Sequence, residues 1–443
     1  VLIRLSFSII RVFITERLKA QIILHTHACL TVGVSGTKQR TCIMKNATPD
    51  VLSTLIRANL EALDHILDYN ITNGLKLFRV SSNIIPFGSH PVNALKWWED
   101  FHAQLEGLGH KALSNGLRLS MHPGQYTVLN SPDAGVVRQA VADLRYHTQF
   151  LDAMGLGKEH KIVLHIGGTY GDKKAAMKRF TEQYHQLNED IRQRLVIEND
   201  DRHYSISEVL AIGLAEGIPV VFDNLHNRVN PDKGGHRNYT EMEWIAACAQ
   251  TWHAEDGRPK IHYSQQDPSK RPGSHSATLD AGAFAAFCQD LGDCRVDIMV
   301  EVKDKNLSAV KCANAIATPD IRRLEREWSR YKYLVLEHSQ RIYLAIRQLL
   351  KDKGVYPVIE FYRLIDKALM TPTNPANAVN AAQHVWGYFK DTTDEQTRRR
   401  FEKSLDQVSR GESTISLKRL LQKLTVVQQQ PYLLDSLYFS ELL

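Results

Sequence analysis

Eight short apolar runs, separated by segments long enough for crossover helices, predict an α/β fold: a closed (β/α)8 TIM barrel with a C-terminal all-α domain. Two further observations point the same way. Metal-capable side chains stand at or near the C-terminal ends of most runs, where such a barrel gathers its active site. Beyond Lys305 the pattern turns wholly helical.

The first run is Gln21–Leu30, followed by an amphipathic helix over Pro49–Leu67 with Leu52, Leu55, Ile56, Leu60, Leu63 and Ile66 on one stripe. Strand two is Leu75–Val80, followed by the loop Ser81–His90 and a helix from Lys96. Strand three, Leu117–Met121, runs into His122-Pro-Gly-Gln-Tyr126 and then a helix over Gly135–Met154. Strand four is Lys161–Ile166, with Gly167-Gly168 and a lysine-rich helix behind it. Strands five to eight are Arg194–Glu198, Ile218–Asp223, Lys260–Ser264 and Val296–Val302. Helices are then expected over Leu307–Ile316, Ile321–Leu349, Val355–Leu369, Asn377–Phe389 and Asp394–Ser409. The chain thus divides into an N-terminal extension (1–20), the barrel (21–305), a linker (306–324, joined near Thr318-Pro319) and a helical domain (325–443).

Composition narrows the function classes. With 443 residues, 43% of them hydrophobic, the chain can bury a core and carries no low-complexity tract. Its six cysteines form no CxxC pair, which suits reduced thiols and a cytoplasmic location. Residues 1–13 are too short and too charged, at Arg4 and Arg11, to span a bilayer, so no membrane role is expected. The net charge of +6 is concentrated at the C-terminal end: residues 306–443 hold 21 Lys+Arg against 15 Asp+Glu, and residues 1–305 are balanced. Divalent cations bound to carboxylates would make the barrel face more positive than its formal count. Neither a dinucleotide fingerprint nor a Walker loop is present, and Gly167-Gly168 and Gly234-Gly235 read as plain turns.

The candidate ligands are His90, His122, His165, Glu198, Asp223, His226, His262, His275 and Glu301. Taken singly, a histidine such as His165 in an apolar strand is more often a satisfied core residue. Glu198 and Glu301 are harder to set aside, because each ends an apolar run and a buried carboxylate is costly without a paired cation. A mixed nitrogen and oxygen donor set suits Mn²⁺, Zn²⁺ or Fe²⁺ better than Ca²⁺, and nine donors exceed the needs of one ion. Two or three divalent metals could activate water and clamp the attacking and leaving oxygens of a phosphodiester.

These residues lie within longer motifs: Phe-Arg-Val-Ser-Ser-Asn-Ile-Ile-Pro-Phe-Gly-Ser-His90, Ser-Met-His122-Pro-Gly-Gln-Tyr, Leu-His165-Ile-Gly-Gly and Ile-Glu198-Asn-Asp. Asp223-Asn-Leu-His226, Lys-Ile-His262-Tyr-Ser, Arg-Pro-Gly-Ser-His275 and Met-Val-Glu301-Val-Lys complete the series. Over residues 21–305 the chain resembles the UV damage endonucleases of the UvdE type. The resemblance implies a site of up to three metals, usually manganese. It also implies incision 5′ to pyrimidine dimers, 6-4 photoproducts and some other lesions, abasic sites included. It carries over a lesion-probing role to Gln125 and Tyr126, makes Lys38 and Arg40 of the basic first loop candidate phosphate contacts, and matches Lys260 to a lysine that can be carboxylated. The chain departs from the family at Thr26-His27, where a Gly-Tyr pair is usual. Residues 325–443 resemble the YbgA-type helical family through Tyr331–Ser339 and Asn380–Lys390, which implies a fold but no reaction. His384 and Tyr388 share a helix face there and suggest buried packing with a local hydrogen bond, and Arg398-Arg-Arg400 suggests added phosphate contacts.

The expectation is a metal-dependent DNA repair endonuclease acting on damaged double-stranded DNA, with Glu198, Lys260 and Glu301 as catalytic residues. Glu198 bridges two metals, with Asp223, His262 and Glu301 around one and His165 and His226 around the other; His90 and His122 hold a third. An abasic-site endonuclease of the endonuclease IV type, a sugar isomerase-like metal barrel, and a non-catalytic binding protein are the alternatives.

Overall fold

The computed structural model describes residues 25–26, 29–233 and 239–442. His27, the glycines at 234–235 and the extension 1–20 lie outside them. The described chain divides into two compact units. The first runs through Thr31, then Gly36–Leu279 and Ala286–Ala313. The second comprises Val32–Ser35, Asp280–Ala285 and Asn314 onward.

In the first unit the strands are β1 (His25–Thr26), β2 (Leu77–Val80), β3 (Arg118–Met121), β4 (Ile162–His165), β5 (Leu195–Glu198), β6 (Val220–Asp223), β7 (Lys260–Tyr263) and β8 (Asp297–Val300). All pair in parallel, in the order β1-β8-β7-β6-β5-β4-β3-β2. The Cys29 N–H donates to the Arg79 carbonyl at 2.8 Å, which brings the two ends of the sheet together. The sheet is therefore a nearly closed TIM-type barrel, with helices around it and a helical region after it. Short strands of four residues suffice because both faces are covered, and Val163, Val196, Val221 and Trp252 make one apolar layer.

Three crossover helices bear on the site. They are α1 (Pro49–Thr72), whose Thr48 cap accepts from Val51; α2 (Ala134–Ala153), capped by Asp133; and α3 (Lys173–Gln186), capped by Asp172. A one-and-a-half-turn helix, α4 (Asn224–Val229), follows β6 directly. At the N-terminal mouth, strand-start residues form a polar plug. Arg118 donates to Asp297 at 2.7 Å and to the Asp256 carbonyl at 2.7 Å, and Lys161 pairs with Asp256. The stability-bearing charges thus sit at the opposite end from the candidate ligands.

Residues Asn306–Ile316, within the expected linker, form helix α5, with Asn306, Ser308, Ala309 and Lys311 buried. The second unit carries α6 (Ile321–His338), α7 (Gln340–Leu349), α8 (Val358–Leu369), α9 (Pro375–Trp386), α10 (Glu395–Ser409) and α11 (Ile415–Val427). The single helix expected over Ile321–Leu349 is broken at Ser339, whose extended backbone ends α6 while its hydroxyl caps α7. Its core joins Tyr333, Ala381, Val385, Phe401, Leu421 and Phe439, among others. His384 is exposed and Tyr388 bonds across to the Tyr333 hydroxyl at 3.0 Å, so the expected local pair does not form. The triple arginine 398–400 is exposed. Among the described residues no helix is long and apolar enough to cross a membrane, and all six cysteines are free thiols.

Candidate metal centre

Strand register brings the candidate ligands together. His165 on β4 pairs in register with Glu198 on β5, and Asp223 on β6 with His262 on β7. His122 follows β3, Glu301 follows β8, and His226 sits in the first turn of α4. Two asparagines hold the rim by imitating backbone. Asn199 exchanges hydrogen bonds with the Asp223 N–H (2.9 Å) and carbonyl (3.1 Å), and Asn224 does the same for Ser264 at 2.7 and 3.1 Å.

Glu198, 1% exposed, is the hub. Its Oε2 lies 3.1 Å from His122 Nε2 and 3.8 Å from His165 Nε2; its Oε1 lies 2.8 Å from His262 Nδ1 and 3.7 Å from His226 Nδ1. Two groups of ligand atoms, each within 4.8 Å of one another, share it: His122–His165–Glu198 and Glu198–Asp223–His262. Asp223 Oδ1 caps α4 by accepting from the His226 N–H at 2.7 Å, which leaves Oδ2 buried and without a hydrogen-bond partner among the described residues. His165 Nδ1, His262 Nε2 and the Lys260 ammonium are in the same state. Buried polar atoms without partners are costly. Three of the four belong to residues gathered with Glu198 in a donor set of imidazoles and carboxylates, which fits divalent metal binding.

The electrostatics follow from burial and crowding. Burial pushes the Glu198 carboxyl up, but His262 and His165, with hydrogen bonds from His122 and His262, hold it well below the usual range. Asp223 is pushed up by burial and by Glu198 and Glu301, against the pull of His226. His226, despite burial, is raised to about 9 by Asp223, Glu198 and Glu301. Burial lowers His122 to about 4. Lys260 falls to about 7 through burial, aided by Arg118 and Arg79. As the first residue of β7 it lies two residues below His262 on the same strand face, deeper than the rim.

The geometry differs from the expected grouping in one respect. His122 stands with His165, their ring centroids 5.2 Å apart, because β3 and β4 are neighbours. His90 is exposed, ten residues beyond β2, and its Nδ1 accepts from the Val92 N–H at 3.1 Å. His275 forms a backbone bridge with Gln266 and lies within electrostatic reach of Glu301. Arg79 was not among the expected site residues, yet it forms an ion pair with Glu301 in the barrel interior. The signal was a lone arginine inside Leu-Phe-Arg-Val: a charge buried in a strand requires a partner.

A cleft of about 560 Å³ opens beside the centre, lined in part by His122, Gln125, His165, Tyr170, Arg202 and Arg271. Gln125 and Tyr126 are exposed on the turn after His122, Tyr126 at 70%. The turn is closed by the Thr127 N–H donating to the Gly124 carbonyl at 2.8 Å. A Cβ at Gly124 would stand 2.4 Å from the Tyr126 ring, so only glycine lets the ring lie across the turn. Lys38 and Arg40 are exposed on the first loop, where Asn59 fixes the Arg40 backbone through bonds of 2.7 and 3.0 Å.

Comparisons with known proteins bear on the family and the fold. Residues 26–328 match the family described as UV-endonuclease UvdE, and residues 332–442 match a family described as protein of unknown function (DUF1722). A UV DNA damage endonuclease of Clostridium perfringens is 35% identical over 403 residues, which span 90% of this chain and 96% of that protein. A Bacillus velezensis enzyme of the same description is 31% identical over 279 residues, 62% of this chain and 86% of its own length. The crystal structure described as SacUVDE aligns with a TM-score of 0.61 at 35% identity, covering 66% of this chain and 98% of that one.

Proposed function

The chain belongs to the UV-endonuclease UvdE family and is an endonuclease of UV-damage repair; on that premise we propose that it nicks double-stranded DNA 5′ to pyrimidine dimers, 6-4 photoproducts and some other lesions, using two or three divalent cations, manganese foremost. The observation that supports this reading best is Glu198, shared by two ligand groups, one of which puts His122 and His165 on the wall of the cleft.

In this reading His165 and His226, whose rings lie 5.7 Å apart, hold one side of Glu198 together with His122, while Asp223 and His262 hold the other, with Glu301 beside His262 at 3.3 Å. Bound divalent cations would offset the carboxylate charge, polarise the phosphodiester and make water nucleophilic at neutral pH. Arg79 holds Glu301 ionised and oriented. Lys260, with a pKa near neutrality, is available as an uncharged amine, either to take a proton or to carry the carboxyl group. Gln125 and Tyr126 enter the space of an unstacked lesion, and Lys38 and Arg40 contact phosphates.

Glu198→Ala tests the assignment. Nicking of UV-irradiated plasmid in Mn²⁺ is expected to fall by at least three orders of magnitude, with loss of stoichiometric metal uptake. Wild-type nicking by the variant would overturn it. Mapping the cut on a duplex with one defined photoproduct, beside an abasic-site duplex, tests the lesion range and the 5′ position.

A further inference from the structure

Tyr170 is out of keeping with its surroundings. It is a bulky residue with φ +51°, in the left-handed region that tyrosine avoids, and it is 46% exposed. Such a conformation is disfavoured for a bulky side chain and persists only where neighbouring structure enforces it. Here it is enforced from several sides. The Arg179 guanidinium lies over the ring at 5.6 Å, and Arg179 Nε donates to the Asn130 carbonyl at 2.9 Å. The Asn130 amide in turn donates to the Gly168 carbonyl at 2.7 Å, which also accepts from the Tyr204 hydroxyl at 3.1 Å. Gly167, at φ +112°, leaves no room for a side chain against Asn130. The loop is therefore rigid, and it holds an exposed aromatic ring five residues beyond His165.

The ring lines the same cleft as His122, His165 and Gln125, and Arg202 and Arg271 line it too. A fixed aromatic face, two guanidinium groups and a candidate metal centre in one concavity are the elements that grip an unpaired nucleotide. The ring stacks on a base, the cations meet phosphates, and stacking tolerates any base or a distorted one. No feature of the barrel core requires a tyrosine at an exposed, strained position. We propose that Tyr170 is a DNA-binding residue that stacks on an unpaired or unstacked nucleobase of the damaged duplex, separately from the turn bearing Gln125 and Tyr126. The proposal rests on the cleft being the DNA site.

The test measures equilibrium binding of the full-length protein to two labelled duplexes, one with a single photoproduct and one intact. Wild type is compared with Tyr170→Phe, Tyr170→Ala and Tyr170→Gly, and thermal melts are run on all four. Tyr170→Phe keeps the ring and is expected to bind as wild type. Tyr170→Ala and Tyr170→Gly are expected to weaken binding of the photoproduct duplex about tenfold or more, with a smaller change on intact duplex. Tyr170→Gly is expected to melt above Tyr170→Ala, because glycine adopts the left-handed backbone without strain. Equal photoproduct binding by wild type, Tyr170→Ala and Tyr170→Gly overturns the proposal, as does a loss in Tyr170→Phe equal to that in Tyr170→Ala. Should wild type bind the photoproduct duplex without cutting it while Tyr170→Ala binds more weakly, the stacking role stands and the incision reading fails.

Discussion

The Ser82 hydroxyl donates to the His122 carbonyl at 2.9 Å, tying the loop after β2 to the loop after β3. His147 Nε2 meets the same hydroxyl at 2.9 Å, and the Tyr146 hydroxyl donates to the Ser82 carbonyl at 2.9 Å. One helical turn away, Asp143 accepts from the Thr127 hydroxyl at 2.6 Å. A single face of α2 thus braces the candidate ligand His122 and closes the turn that presents Gln125 and Tyr126. All of these α2 side chains are buried, so their geometry is over-determined by packing.

His147→Ala is therefore expected to cost about 2–4 kcal/mol, from the cavity and from the hydrogen bond lost at Ser82. It is also expected to lower kcat on photoproduct duplex by an order of magnitude while KM changes little, because His122 shifts rather than the surface that meets DNA. His147→Gln, whose side-chain amide can still hydrogen-bond the Ser82 hydroxyl, should recover part of both losses. Thermal melts and single-turnover nicking check this; an unchanged kcat in a folded His147→Ala protein contradicts it.

Gly167→Ala is expected to be more damaging than a turn substitution normally is. A Cβ there would stand 2.3 Å from Asn130 Oδ1, and the backbone is in the left-handed region at φ +112°. Asn130 cannot yield without breaking its bond to Gly168, so the variant should lose roughly 2–4 kcal/mol and move the loop between His165 and Tyr170. Gly168→Ala makes the useful contrast: its Cβ would meet the Tyr170 ring at 3.2 Å, a contact that a small ring shift relieves. Chemical denaturation of the two variants checks the order.

These two glycines show where sequence reading stops. The apolar runs gave the strands to within a few residues because short strands buried on both faces leave continuous apolar runs that are visible without tertiary information. Glu198 and Glu301 were legible because a carboxylate closing an apolar run has no inexpensive solution other than a cation or a base. The grouping of His122 with His165, rather than with His90, depends on which strands are neighbours and where a ten-residue loop goes. Neither is written in local composition. The same holds for Gly167, whose requirement comes from Asn130, thirty-seven residues earlier in the chain. In the helical unit the period carried across Ser339, since one extended residue interrupts a helix without disturbing the apolar stripe on either side.

Glu159 gives a pH dependence with a defined sign. His160 Nδ1 accepts from the Leu119 N–H at 2.9 Å, so its Nε2 carries the proton and lies 3.3 Å from Glu159 Oε1. This hydrogen bond from His160, against partial burial, holds the Glu159 carboxyl down at about 2, below its usual 4.5. A depressed folded-state value means that the stabilisation is complete above 4.5 and is lost as pH falls towards 2. Glu159→Gln should melt below wild type at pH 6, and the gap should close progressively as pH falls below 4.5. A gap that is constant down to the acid limit of folding would show that Glu159 acts through packing rather than charge.

In the helical unit the corresponding test is Lys418 and Glu337. Lys418 on α11 meets Glu337 on α6 at 2.7 Å; both side chains are almost wholly buried, and Lys418 also reaches Glu441 at 2.8 Å and lies over the Tyr438 ring at 4.7 Å. Burial pushes the Glu337 carboxyl up and the lysine opposes it. Removing only the cation leaves a buried carboxylate without its partner, which costs about 3–5 kcal/mol. Removing both charges together restores an apolar contact and costs far less. Lys418→Met is thus expected to lower the calorimetric unfolding midpoint by several degrees. Glu337→Met in the same protein should return most of that loss, giving a positive coupling energy in the double-mutant cycle. Additive losses in the cycle would mean that the two residues stabilise α6 and α11 independently, and that their proximity contributes nothing to the fold.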